Sequence, residues 1–228
     1  GALRDLHSFP TRRSSDLIWQ YTGRTPQEAS TKPLLGDLGI FITKMKCRNA
    51  NEAYQYLKNK GVETLGNVFT DALGQSFFYV KDLYGNIFQY VESTEYFTKL
   101  DHPLGGVFGC IIGVSDLEAA LPVYRDILAH DQVLYDESRV FSDFQSLPGG
   151  NSSFRRVLLG HSEKRTGAFS PVLGSSQIEL VQVSGRDAQF IYKDRFWGDP
   201  GFIHLCWDIH GMKECREECQ AKGFPFTV

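Results

Sequence analysis

The side chains in this sequence with the clearest capacity for chemistry are His204 and Glu179. His204 is the fourth residue of Gly201-Phe202-Ile203-His204-Leu205-Cys206-Trp207-Asp208-Ile209, a run that reads as a strand opening on a glycine. Alternation along a strand sends His204, Cys206 and Asp208 to one face and Leu205, Trp207 and Ile209 to the other. Glu179 lies in Ser176-Gln177-Ile178-Glu179-Leu180, on the face opposite Ile178 and Leu180. An imidazole and a carboxylate are the nitrogen and oxygen donors that suit Zn²⁺, Fe²⁺, Mn²⁺ or Ni²⁺. Each also has a plainer reading, as a satisfied strand histidine and a charge on a half-exposed strand. Arg155, Arg156 and His161 lie on or near another strand, where they could hold an anionic substrate or form a surface ladder. Cys206 reads as packing, because no base is placed to activate it. Cys215 and Cys219 are four residues apart and share one face of a helix.

The elements that must position these groups form a repeat. Gly36-Asp37-Leu38-Gly39-Ile40-Phe41-Ile42 and Gly106-Val107-Phe108-Gly109-Cys110-Ile111-Ile112 have the same shape as the run at Gly201. The first unit, residues 36–95, predicts a strand over 37–44 and a helix over 49–60. The helix carries Ala53, Tyr56 and Leu57 at helical spacing and ends at Gly61. Strands over 62–69, 75–80 and 87–92 follow, the last after the turn Asp82-Leu83-Tyr84-Gly85-Asn86. The second unit, residues 106–184, repeats this βαβββ order. It has a strand over 107–114, a helix capped by Asp116 and running to about 130, and strands over 132–136, 154–161 and 177–183. A polar, Gly-rich loop over 139–153 enlarges its middle. Residues 18–35 read as the remnant of an earlier unit with a linker, 96–105 as a linker and 185–200 as a linker helix. Residues 201–228 read as a unit truncated after its first strand (202–209) and helix (212–222). The fold class is therefore α+β, in tandem paired βαβββ modules truncated at both ends.

Residues 4–17, RDLHSFPTRRSSDL, resemble one reading frame of a sequencing-adapter oligonucleotide, so residues 1–17 are expected to be non-native. The plainer alternative is a basic native tail. The segment has neither strand nor helix periodicity and lacks the apolar core of a signal peptide. In the whole chain of 228 residues, a net charge of −3 gives no footprint for nucleic acid or an anionic membrane surface. No apolar run is long enough to span a bilayer. Five scattered cysteines, an odd number without zinc-ribbon spacing, fit a reduced, cytoplasmic protein.

The βαβββ repeat resembles the vicinal oxygen chelate superfamily of glyoxalases, bleomycin-resistance proteins and extradiol dioxygenases. The residues that carry the resemblance are Asp82-Leu83-Tyr84-Gly85-Asn86-Ile87-Phe88-Gln89, Gly201-Phe202-Ile203-His204 and Ser176-Gln177-Ile178-Glu179-Leu180. The resemblance implies that modules pair into a cup of curved sheet. It also implies a divalent metal held by first and fourth strands, with substrate oxygens completing its coordination. The family's first-strand positions fall on Gly39, Gly109 and His204, and the fourth-strand positions on Gln89 and Glu179. His204 and Glu179 are thus the expected metal ligands, in a cup made by the modules that start at Gly106 and Gly201. Glu179 is also the expected base, and Gln89, Arg156 and Asp208 are the expected pocket residues. Glycine at 109 departs from the extradiol dioxygenase pattern, which implies histidine there. The function implied is that of a divalent-metal-dependent enzyme, a lyase, isomerase or dioxygenase, acting on a small substrate with vicinal oxygens. The alternative is a metal-free small-molecule-binding protein of the bleomycin-resistance type. Module pairing also offers a route to a homo-oligomer.

Overall fold

The computed structural model describes residues 22–97, 101–166, 170–207, 209 and 211–227. The adapter-like segment and the strand remnant at 18–21 lie outside the described residues. The first module forms as its periodicity predicts, with β1 (Gly39–Cys47), α1 (Ala50–Asn59), β2 (Glu63–Thr70), β3 (Ser76–Lys81) and β4 (Ile87–Glu92). The Asn49 side chain accepts a hydrogen bond from Glu52 N and so caps α1. Its buried face is Ala50, Ala53, Tyr54 and Leu57, with Tyr54 taking the place expected for Tyr56. At the turn before β4, Asp82 Oδ1 accepts from the amides of Tyr84 and Asn86.

The second module comprises β5 (Leu104–Gly113), α2 (Leu117–Pro122), β6 (Gln132–Arg139), β7 (Ser153–Gly160), α3 (Ser170–Leu173) and β8 (Gln177–Ser184). Asp116 caps α2 by accepting from Ala119 N. The helix does not run on to residue 130. It gives way after Pro122 to a wider π turn over Val123–Ile127, because the proline ring clashes with the preceding turn and offers no N–H to the ladder.

Eight strands form one sheet in the order β2-β3-β4-β1-β5-β8-β7-β6. β1 runs parallel to β4 and β5 parallel to β8, and antiparallel pairing of β1 with β5 joins the modules. The paired modules are therefore those starting at Gly36 and Gly106, and the pairing is made within one chain. This corrects the expectation that the second module pairs with the segment at Gly201. Residues 202–207 form no strand. β1 and β5 each lie against the fourth strand of their own module, and among the described residues no strand lies beside 202–207 to take up their N–H and C=O groups. Leu205 and Trp207 instead pack against the apolar cluster under α2. The helix that follows, α4 (Met212–Ala221), forms as expected. The expected linker helix at 185–200 is a series of turns. Its amides are drawn to carboxylates, Gln189 N to Asp37 Oδ1 and Phe196 N to Asp199 Oδ2.

Alternation along the strands gives the sheet two unlike faces. Phe78 and Val80 pack under α1, and Cys110, Ile112, Ile178 and Leu180 under α2. Phe77, Tyr79, Ile111 and Val181 point the other way, into a cluster shared by both modules. That second face takes the place of the cup that the family resemblance implies.

Candidate functional site

Glu179 projects from the middle of β8 into the cup and is fully buried. Three side chains meet its carboxylate. Lys44 Nζ from β1 lies 2.6 Å from Oε2. Arg156 Nε from β7 and the Tyr135 hydroxyl from β6, the latter at 3.1 Å, both donate to Oε1. Arg156 also donates through Nη1 to Asp143 Oδ2 at 2.9 Å. The Tyr79 hydroxyl donates to the same Asp143 oxygen at 3.1 Å and accepts from Gln89 Nε2 at 3.3 Å. Gln177 accepts from Lys44 at 3.5 Å and donates to Gln75 at 3.3 Å. The charges balance, with Lys44 and Arg156 against Glu179 and Asp143. A buried cluster of this kind persists only if its charges are paired and its polar atoms satisfied. Two buried atoms of the cluster have no hydrogen-bond partner among the described residues, Gln89 Oε1 and Glu179 Oε2, the second of which is held by its ion pair with Lys44.

The electrostatics follow from this geometry. Burial alone would raise the Glu179 pKa, but Arg156 and then Lys44 overcome it and hold the carboxyl at about 2. Burial opposes the charge on Arg156, yet Glu179 and the neighbouring tyrosines and Asp143 keep it well above its ordinary range. Burial raises both Tyr79 and Tyr135, reinforced by Asp143 at the first and Glu179 at the second, so both phenols stay protonated.

The rest of the cup is filled by the chain itself. The loop after β6 folds inward and buries Phe141, Phe144 and Leu147. The Arg156 guanidinium lies over the Phe144 ring at 4.3 Å, a cation–π contact that caps the charged cluster with apolar surface.

Of the residues anticipated from sequence, Glu179, Arg156 and Gln89 come together here. His204 does not join them. It is exposed, its ring 5.2 Å from that of Trp197, and no hydrogen bond or ion pair links it to Glu179. Asp208 lies outside the described residues. In the sheet register the residue beside Gln89 is Lys44, and the residue beside Glu179 is Ile111. Lys44, Asp143, Tyr79, Tyr135 and Gln177 were missed. Lys44 had left a signal, a charged residue within the apolar run of β1.

A divalent metal implied by the family does not fit this donor set. Both Glu179 oxygens are engaged by fixed cations, and a further double positive charge beside Lys44 and Arg156 would meet their repulsion at low dielectric. No group of three or more His, Cys, Asp and Glu side chains gathers among the described residues.

On the helix side of the sheet, at the β1–β5 seam, lies a cavity of about 520 Å³. Leu38, Ile40, Ile112, Tyr124, Phe202 and Trp207 are among its lining residues. Among the described residues no helix is long and apolar enough to cross a membrane.

No curated protein matches the chain. Among solved structures it is similar to a glyoxalase I mutant from Zea mays, at 14% identity and a TM-score of 0.41, over 69% of this chain and 48% of that one. It is also similar to methylmalonyl-CoA epimerase from Streptomyces coelicolor, at 19% identity and a TM-score of 0.36, over 65% of this chain and 99% of that one. The chain thus spans about half the length of the glyoxalase I structure it matches. The sequence model of the Glyoxalase/Bleomycin resistance protein/Dioxygenase superfamily matches residues 110–228, just over half of the chain. With the paired βαβββ modules described above, this places the chain in the Glyoxalase/Bleomycin resistance protein/Dioxygenase superfamily.

Proposed function

We propose that this chain is a small-molecule-binding member of its superfamily with a metal-free cup, in which the cup of the two modules serves as a charged core. The observation that carries this reading is the Lys44–Glu179 contact, 2.6 Å between two buried side chains. The chain's own ammonium sits on the carboxylate that the family resemblance assigns to a metal. Room for a ligand lies instead in the seam cavity. Its volume of about 520 Å³ is within the range of small-molecule sites, roughly 300–1,000 Å³. Its walls are apolar and aromatic, with Lys193 as the cationic side chain. A flat apolar ligand fits this lining. An environment-sensitive apolar dye should bind the wild-type chain, and cavity-filling Ile40→Trp should abolish the signal. Equal dye binding by both proteins would overturn this assignment.

A second reading is favoured by the extent of the family match. It joins the module containing Glu179 to the segment containing His204, over residues 110–228. In this reading Glu179 and His204 are ligands of a divalent metal in an enzyme of the lyase, isomerase or dioxygenase type. Lys44 would have to leave Glu179, and residues 202–207 would have to become a strand. Metal content that falls on both Glu179→Ala and His204→Ala would establish this reading. Metal content indifferent to both would leave the first.

A further inference from the structure

Just before β8, two imidazoles and a hydroxyl converge. Ser176, the residue before β8, places its Oγ 3.2 Å from Nε2 of His130 and 3.2 Å from Nε2 of His161. The two rings are 4.3 Å apart between centroids. His130 follows the π turn, where its amide donates to Tyr124 O, and it is only 1% exposed. His161 follows β7 and is half-buried, as is Ser176.

The hydrogen count at this cluster does not close. His130 Nδ1 lies 3.2 Å from Leu128 O and His161 Nδ1 lies 2.6 Å from Ala129 O. A carbonyl only accepts, so each Nδ1 carries the ring hydrogen and each neutral Nε2 presents a lone pair. Ser176 has one hydroxyl hydrogen for two such lone pairs. One acceptor is left facing another, beside a buried ring. Protonating an imidazole would supply the missing hydrogen, but burial opposes this at both rings.

A cation that accepts lone pairs satisfies all three atoms at once. We propose that His130 Nε2, His161 Nε2 and Ser176 Oγ are three ligands of a divalent transition-metal site of the Zn²⁺ class. Ligands about 2.0–2.1 Å from a tetrahedral Zn²⁺ stand roughly 3.3 Å from one another, close to the 3.2 Å found here. Neutral imidazole is the form that binds metal, and a carbonyl on each Nδ1–H is the outer contact that orients a metal-bound ring. The half-buried His161 and Ser176 give the ion a route from solvent. The site shares no residue with the cup and does not rest on either reading of it.

The test uses the full chain after metal stripping, titrated with Zn²⁺ by calorimetry and with Co²⁺ by visible absorption. A single equivalent of Zn²⁺ and a tetrahedral Co²⁺ spectrum are expected. His161→Gln should weaken binding by about tenfold or more, with the fold checked by circular dichroism. Ser176→Ala should weaken it less, and Cys215→Ser should leave it intact. His161 is the informative position because its ring is only half-buried and its replacement leaves the core in place. Absence of Zn²⁺ binding, or unchanged affinity in His161→Gln, would overturn the proposal. So would a cobalt–thiolate band lost on Cys215→Ser.

Discussion

Lys44 Nζ stands 2.6 Å from Glu179 Oε2, with 3% of one side chain and none of the other exposed. Lys44 belongs to β1 of the first module and Glu179 to β8 of the second, so each module neutralises a charge buried by the other. Such a pair adds little net stability over well-packed apolar residues, but losing one partner strands the other. It therefore acts mainly to specify which strands come together.

Glu179→Ala should destabilise the chain by about 3–5 kcal/mol, because it leaves both Lys44 and Arg156 buried without their shared partner. Lys44→Met should be milder, since Arg156 and Tyr135 still hold the carboxylate. Urea denaturation of the two single variants and the double variant should return a coupling energy of about 1–3 kcal/mol. Additive effects would show that the contact carries no interaction of its own.

The acid limb of stability should contain a component from Glu179. Its carboxyl is depressed from an ordinary 4.5 to about 2 by Arg156 and Lys44 against the opposing effect of burial. The unfolded chain therefore binds the proton first. The stabilisation is complete above the ordinary value and is lost as pH falls from there toward about 2. The difference in unfolding free energy between wild type and Glu179→Gln should shrink across that window. A difference independent of pH would mean the carboxyl is not depressed.

Phe144→Ala should cost about 3–5 kcal/mol, the range for emptying a buried aromatic site. Phe144 is fully buried, packs edge-on against Phe154 at 5.4 Å and covers the Arg156 guanidinium. The variant should also admit water or a small aromatic probe to the charged cluster, measurable as a gain in indole binding by calorimetry. Wild-type stability in this variant would show that the loop after β6 does not plug the cup.

Gly109→Ala should prevent the sheet from closing. Gly109 has φ of +151°, and a Cβ there would lie 1.7 Å from the Gln177 carbonyl oxygen. The strained backbone alone costs about 1–3 kcal/mol, before the clash with the neighbouring strand. A marked fall in soluble yield and in melting temperature is expected, whereas a neutral result would contradict the β5–β8 register. The same geometry explains why a histidine is absent here, since no side chain fits without a change of backbone.

How much of this was legible in sequence differs from residue to residue. Asn49 and Asp116 announced the starts of α1 and α2, and Asp82-Leu83-Tyr84-Gly85-Asn86 announced the turn into β4, because caps and turns are local hydrogen-bond chemistry. Pro122 is visible in the sequence, and the helix loosens directly after it. Strand alternation set Glu179 on the face opposite Ile178 and Leu180, and the family resemblance added Gln89 and Arg156 as pocket residues. Their partners could not be placed, because Lys44 and Glu179 are separated by most of the chain and Asp143 sits in a loop without periodicity.

The sequence by itself determined the α+β class, the βαβββ repeat and which face of each strand is buried. Those follow from periodicity, capping and turn residues, all read within a few positions along the chain. Only the tertiary structure decided which modules pair, which residues stand side by side across β1, β5 and β8, and what neutralises Glu179. A slip of register moves every side chain to a new neighbour without altering the local pattern. Lys44 therefore neutralises the carboxylate that the family resemblance had assigned to a metal, and His204 stands apart from it.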